Sequence, residues 1–379
     1  MGMNQVAYLD HNATTPLTPA AKQALVAALD LVGNASSVHR QGRLVRRKIE
    51  DARAQVASLL GVPAEGIVFT GGGTEANNLA IRGLSVDRIL VSAIEHPAVL
   101  KADDRIDVIP VLSSGHVDLE ALDALLLSDT RPALVSVMAA NNETGIVQPL
   151  AEVAAIAKRH GALVHSDAVQ AAGKLDWDFG GLGLDLISLS AHKIGGPQGC
   201  GALYVRPGLA LDPVNRGGGQ EKGRRGGTEN VPALVAFGAA AEDALTNRDW
   251  LKDAKALRDG LEAELRSINP ACRIVGADVE RLPNTTYVTM PNVGSETQVM
   301  AFDLAGVALS AGSACSSGKV SRSHVLEAMG LPEDISGCGV RVSLGRTTEP
   351  ADVDRFIKAW ADIAARAGGV DRASPKPAA

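Results

Sequence analysis

Aromatic residues are nearly missing from this chain: five Phe, three Tyr and three Trp among 379 residues. The core must therefore be built from Ala, Leu and Val, and hydrophobic residues still make up 46% of the chain. Cysteine is scarce too. Cys200, Cys272, Cys315 and Cys338 lie far apart with no CxxC pair. That excludes a zinc spacing and a disulfide framework, so no metal site is expected. The same usage suits a reducing cytoplasm. There is no basic excess, since the formal net charge is −6. Nucleic acid is therefore not expected as a partner, because neutralising phosphates needs a basic face. No apolar run reaches the ~18–20 residues that span a bilayer, and no apolar segment follows Met1. Neither a membrane span nor a signal peptide is expected.

What is present is an alternation. Short apolar runs at 67–70, 88–92, 133–138, 162–165, 185–189 and 202–205 read as buried strands. Amphipathic stretches such as 119–127 and 150–160 read as helices between them. This pattern predicts an α/β domain with a largely parallel sheet. After about Asp249 the texture changes. A charged helix at 250–268 precedes strands at 273–275 and 285–290, a helix near 298–304, strands at 307–310 and 340–343, and a last helix at 352–367. That predicts a second, smaller α+β domain. The tail 368–379, rich in Gly, Pro and Ala, reads as mobile.

Two strand ends carry the chemistry. The run 186–193 ends in Lys193, with Gly195-Gly196-Pro197 close behind, and the run 162–167 ends in Asp167. An amine and an acid at the ends of two apolar strands are what pyridoxal phosphate (PLP) needs. The amine can form a Schiff base with the aldehyde, and the acid can hold the ring nitrogen protonated. The segment 70–78, Thr-Gly-Gly-Gly-Thr-Glu-Ala-Asn-Asn, follows a strand and opens a helix. Gly73, Thr74 and the free N–H groups of a helix start suit a phosphate. Ser190 and His192 offer further donors. His96 follows the strand ending at Ser92 and could stack on a flat ring. Asn142 lies beyond the strand ending near Met138, at an edge where open α/β sheets bind ligands. Gln170 shares its strand end with Asp167. A second Gly-rich turn, 224–230, places Thr228 near a helix cap, where it can bind an anion or serve a neighbouring subunit.

These segments in this order resemble the cysteine desulfurase family. The resemblance runs from Tyr8-Leu9-Asp10-His11-Asn12-Ala13-Thr14-Thr15-Pro16 through Glu95-His96, Asn141-Asn142-Glu143, Asp167-Ala168-Val169-Gln170 and Ser190-Ala191-His192-Lys193. It ends with Gly312-Ser313-Ala314-Cys315-Ser316-Ser317-Gly318 and Arg341-Val342-Ser343-Leu344-Gly345-Arg346. It implies a fold type I PLP-dependent transferase with a seven-stranded, mostly parallel sheet. Residues 15–250 would form the large domain, and 1–14 with 251–367 the small one carrying the Cys315 loop. It implies a homodimer with its active sites at the subunit interface. It implies roles as well: Lys193 binds the cofactor and moves the Cα proton, His96 stacks on the ring, and Asp167 pairs with the pyridine nitrogen. Gln170 and Asn142 contact ring or substrate oxygens. Gly73, Thr74, Ser190 and His192 hold the phosphate, with Thr228 reaching in from the partner subunit. Arg341 receives the substrate carboxylate, with Asn12 and Asn142 beside the substrate.

The stretch around Cys315 is almost all Gly, Ala and Ser, which packs poorly and bends easily. It reads as a mobile loop carrying a thiol. In the family scheme that thiol takes sulfur from L-cysteine, becomes a persulfide, and passes sulfur to an iron–sulfur scaffold or another acceptor. His96 is a candidate base for it. The loop matches the family's long-loop branch. The sequence departs from many relatives at Ala35, where they have proline, and from some at Gln198, where they have lysine; neither change touches the chemistry directly. Cys200, Cys272 and Cys338 read as structural. The basic stretch 43–48 reads as a solvated helix face, with docking of an acidic scaffold or carrier as the alternative. Two other activities on this fold compete: a selenocysteine lyase, and a PLP aminotransferase, which leaves the Cys315 loop unexplained. A catalytically silent scaffold is the third alternative, opposed by intact Lys193, Asp167 and Cys315.

Overall fold

The computed structural model describes residues 6–312 and 322–368. The expectations for Cys315 and for the tail beyond Gly368 fall outside them. Among the described residues the strands run in chain order β1 (Ala7–Tyr8), β2 (Ile67–Thr70), β3 (Arg88–Ser92), β4 (Ile106–Ile109), β5 (Ala133–Ser136) and β6 (Leu163–Asp167). They continue with β7 (Leu186–Ser190), β8 (Gly201–Val205), β9 (Arg273–Ile274), β10 (Thr285–Thr289), β11 (Val307–Ala308) and β12 (Gly339–Ser343).

Seven of them form one sheet in the order β2-β8-β7-β6-β5-β3-β4. From β7 to β4 every pairing is parallel, and β8 alone runs against both its neighbours. The α/β expectation holds. The strands read as unbroken apolar runs because both faces are covered. Ile67, Phe69, Ile187, Leu189, Ala202 and Tyr204 enter one core cluster with the helices Arg40–Leu60 and Leu150–Arg159. Val68, Leu186, Leu203 and Val205 enter the opposite cluster with the helix Gly73–Arg82.

The remaining strands belong to a second core. Strand β10 pairs antiparallel with β12 and β9, while β1 pairs parallel with β11. Ala7 and Leu9 pack there with Val288, Val342, Phe356 and Trp360. The N-terminal strand is thus carried to the end of the chain. A parallel bridge from Asp10 to Ser343 leaves the next residues beside the large sheet.

Several sequence-based bounds shift. Strand β4 was not expected, since it is only four residues long, lies at the sheet edge, and has Asp107 and Val108 exposed. The strands expected at 133–138 and 307–310 are shorter. The last helix is Pro350–Gly368, so Gly368 belongs to it rather than to the tail. Residues 43–48 lie on the helix Arg40–Leu60, with Arg43, Arg46, Arg47 and Lys48 exposed and Val45 buried.

One buried ion pair ties this helix to the sheet. Arg53 donates to Glu221 through both terminal nitrogens (2.7 and 2.9 Å) and to the Ile67 carbonyl, and Glu221 also accepts from Phe69 N. Both side chains are almost fully enclosed. Glu221→Ala should therefore cost up to about 3–5 kcal/mol in urea unfolding, because it removes the two-pronged partner of a buried guanidinium and leaves it only the half-exposed Glu50 (3.1 Å). Replacing both residues with apolar ones should cost less. A single-variant loss no larger than that of the double would show that water reaches the guanidinium.

Candidate active site

Strands β5, β6 and β7 end on one edge of the sheet, and a cavity of about 370 Å³ lies there. Asn12, Gly73, Thr74, His96, Asn142, Asp167, Gln170, Ser190, His192, Lys193 and Arg341 all line it. Every described site residue expected from sequence is present except Thr228. Thr228 is exposed and does not line the cavity of its own chain, and the helix cap beside it is Asn230.

Lys193 is not on the strand. Strand β7 stops at Ser190, and a short 3-10 turn, Ala191–Lys193, brings the lysine round. Its amine donates to the carbonyls of Asn12 (2.6 Å) and Ala13 (2.7 Å). Asp167 does end β6. Asn77 Nδ2 donates to one of its oxygens (2.7 Å) and Val169 N to the other (2.9 Å). Asn77 is thus a site residue that sequence reasoning missed. The signal was there, one turn along the helix from Thr74. Gln170 gives an amide N–H to the Asn12 carbonyl (2.9 Å).

Gly72 caps the helix Gly73–Arg82 at φ 148°, a conformation that favours glycine. A Cβ on Gly201 would lie 2.7 Å from the Gly72 carbonyl carbon, so the neighbouring strand also needs glycine. Glu75 folds back onto Gly71 N (2.7 Å) and pairs with Arg225 (2.8 Å), joining the second Gly-rich turn to the first.

Three charged or polar groups close the far side. Arg341, on β12, donates to Asp10 Oδ1 (2.6 Å) and to the Asn142 carbonyl (2.9 Å). Each terminal nitrogen keeps a second N–H. His192 Nδ1 lies 3.1 Å from Thr14 Oγ1, and burial with the nearby Lys193 charge brings its pKa down to about 4. His96 caps the short helix Pro97–Leu100, its Nδ1 accepting from Ala98 N (3.0 Å). Burial is the main cause holding its pKa below the usual value. With Nδ1 engaged, the neutral ring carries its proton on Nε2. Acting as a base at Nε2 therefore requires the ring to release Ala98 first.

Beneath His96 sits Glu95, fully buried, accepting from Ser92 Oγ and Met138 N (2.6 Å each). Burial pushes its carboxyl up to about 8, against those two hydrogen bonds and with the Asp167 charge adding to it. The consequence for stability is directional. An unfolded glutamate ionises near 4.5, so the folded state loses stability as pH rises from there toward 8. Glu95→Gln should be more stable than wild type at about pH 8 and show little difference near pH 4. Parallel denaturation curves at both pH values for the two proteins would show that Glu95 is already ionised in the fold.

The fold and this edge define a class. Residues 7–356 match the family model of the class-V aminotransferases. A cysteine desulfurase of Cereibacter sphaeroides is 44% identical over 93% of this chain and 94% of its own length. An IscS-like cysteine desulfurase of Mycobacterium tuberculosis is 40% identical over 96% and 97%. The X-ray structure of a NifS-like protein from Rickettsia africae superposes with a TM-score of 0.88 at 39% identity, covering 95% of this chain and 99% of that one. The chain belongs to the class-V aminotransferase family, in its cysteine desulfurase group.

Proposed function

We propose that this cavity holds PLP on Lys193 and that the protein removes sulfur from L-cysteine, leaving L-alanine and a persulfide on Cys315. The observation that carries the reading is one cavity lined by the Lys193 amine, the Asp167 carboxylate and the glycine-capped helix start. The residues suit the cofactor. The helix start offers free N–H groups and a favourable dipole to a phosphate, flanked by Ser190 and His192. Asn77 and Val169 aim the Asp167 carboxylate, as a pyridine nitrogen requires. When bound, PLP supplies an electron-withdrawing ring that lowers the cost of removing a proton from the substrate's Cα.

The chain's own groups do the rest. Arg341 meets the substrate carboxylate with its remaining N–H groups, where a guanidinium fork suits a planar anion. Asn142 and Asn12 flank it. The Lys193 amine takes the Cα proton. The Cys315 thiolate bonds to the substrate sulfur and the carbon–sulfur bond breaks. Its electron pair stays with the carbon fragment, which is protonated and leaves as alanine. Gly312, three residues before Cys315, lines the cavity, which supports delivery of the thiol to this site. The persulfide then passes to an iron–sulfur scaffold or another acceptor.

We also read the chain as a cytoplasmic homodimer, with residues 15–250 as the cofactor domain and Thr228 serving the partner's phosphate. Large apolar side chains are exposed at Leu17, Val26, Leu29, Val32, Val38 and Leu44. So much exposed apolar side chain in one stretch favours a covering subunit. Among the described residues no helix is long and apolar enough to cross a membrane.

Purified protein given L-cysteine and a reductant, without any keto acid, should release alanine and carry a persulfide. Lys193→Ala should lose both activity and the visible absorbance of bound PLP. Cys315→Ser should keep the absorbance and lose alanine release by orders of magnitude, as expected for loss of a nucleophile. Alanine at the wild-type rate from Cys315→Ser would move the sulfur chemistry off that thiol. Turnover only with added keto acid would indicate an aminotransferase.

A further inference from the structure

Behind Gln170, outside the cavity wall, lies a charge that the reaction above does not use. Lys174 is 6% exposed. It ends a turn in which Gly173 adopts φ 74° and Lys174 N returns to the Ala171 carbonyl (2.9 Å). Its ammonium donates to Gln170 Oε1 (2.9 Å) and Asn12 Oδ1 (3.0 Å). Among the described residues no carboxylate pairs with it. The charged groups acting on it are Lys193 and Arg341, both of like sign, and His11 faces it as well. Burial first, then those two charges, bring its pKa down to about 7. An enclosed lysine without an acid is costly, and an apolar residue of the same length would avoid the cost. The two oxygens it holds are what the site gains.

Each amide has a donor end and an acceptor end. Lys174 occupies the acceptor ends of both Gln170 and Asn12. Gln170 Nε2 is thereby turned to the Asn12 carbonyl with one N–H to spare, and Gln170 lines the cavity. Asn12 Nδ2 is turned to Thr285 Oγ1 (2.9 Å) and the Asn142 carbonyl (3.3 Å). The Asn12 main-chain oxygen meanwhile receives the Lys193 amine at 2.6 Å. The ammonium thus sets the direction of Gln170 by itself and that of Asn12 together with Asn284, whose Nδ2 reaches the same Asn12 oxygen at 3.4 Å.

We propose that Lys174 is a positioning residue. Its N–H groups lock the Gln170 and Asn12 amides so that Gln170 presents an N–H to the cavity and Asn12 keeps its carbonyl on Lys193. This rests on the PLP reading above. Losing the lock lets Gln170 turn its oxygen toward the cofactor. An N–H donor favours an ionised ring oxygen, and a carbonyl oxygen in its place disfavours it. Removing Lys174 also removes a like charge from beside Lys193. Both changes favour the protonated form of the Lys193–cofactor link.

The test is a pH titration of the visible absorbance of the PLP-loaded protein, with borohydride reduction and mass spectrometry to locate the cofactor on Lys193. Lys174→Met should still carry PLP on Lys193, with its spectral midpoint raised by about half a pH unit or more, roughly a threefold gain in proton affinity. Lys174→Arg keeps the donors and should return the midpoint toward wild type. If Lys174→Met does not fold, Lys174→Gln decides the same point, because its amide stops one bond short of both oxygens and should shift the midpoint in the same direction. A wild-type midpoint in the folded neutral variant overturns the proposal and leaves Lys174 a spacer. Wild-type protein that retains no PLP on Lys193 would instead overturn the reading of the site, and the proposal with it.

Discussion

Parallel strands all end on the same edge, and the meeting of the large-sheet groups at this site follows from that. Strands β5, β6 and β7 run the same way, so the chain leaves each of them on one side of the sheet. Asn142, Asp167 and Lys193, which are far apart in sequence, come off those ends into one cavity. An antiparallel arrangement of the same strands would have split the acid from the amine. The one antiparallel strand, β8, lies beyond β7 and supplies floor rather than chemistry. Its Gly201 leaves room for the backbone of Gly72 at the start of the helix Gly73–Arg82.

The second unit completes the site from the other side, and Asn12 is the joint. The N-terminal strand is held in the second core, and its continuation reaches the sheet edge. There Asn12 accepts from Lys193 and Gln170 through its main chain and from Lys174 through its side chain. Arg341 comes from β12 in that same unit, with Asp10 fixing its guanidinium. Asn12 and Arg341 therefore reach the cavity from the second core, while Asn142, Asp167 and Lys193 reach it from the large sheet.

Buried charge in this region is arranged asymmetrically. Glu95, beneath His96, is pushed toward its neutral form, whereas Asp167 is surrounded by N–H donors. Lys174 has the like charges of Lys193 and Arg341 acting on it.

Sequence alone determined a good part of this. The apolar runs identified six of the seven large-sheet strands, because strands covered on both faces show it directly in their composition. The glycine-rich helix start, Asp167 and Lys193 were legible because their residue types match their chemistry. Tertiary structure alone decided the rest. The end of β7 at Ser190 is set by its last pairing with Gly201, which no apolar pattern shows, and so the turn that carries Lys193 was hidden. Asn77, Glu95 and Lys174 were missed or left without a role because their significance lies in partners 4 to 162 residues away. Hydrogen bonds and burial are properties of neighbours in space, and a chain read in order names the residues without naming their neighbours.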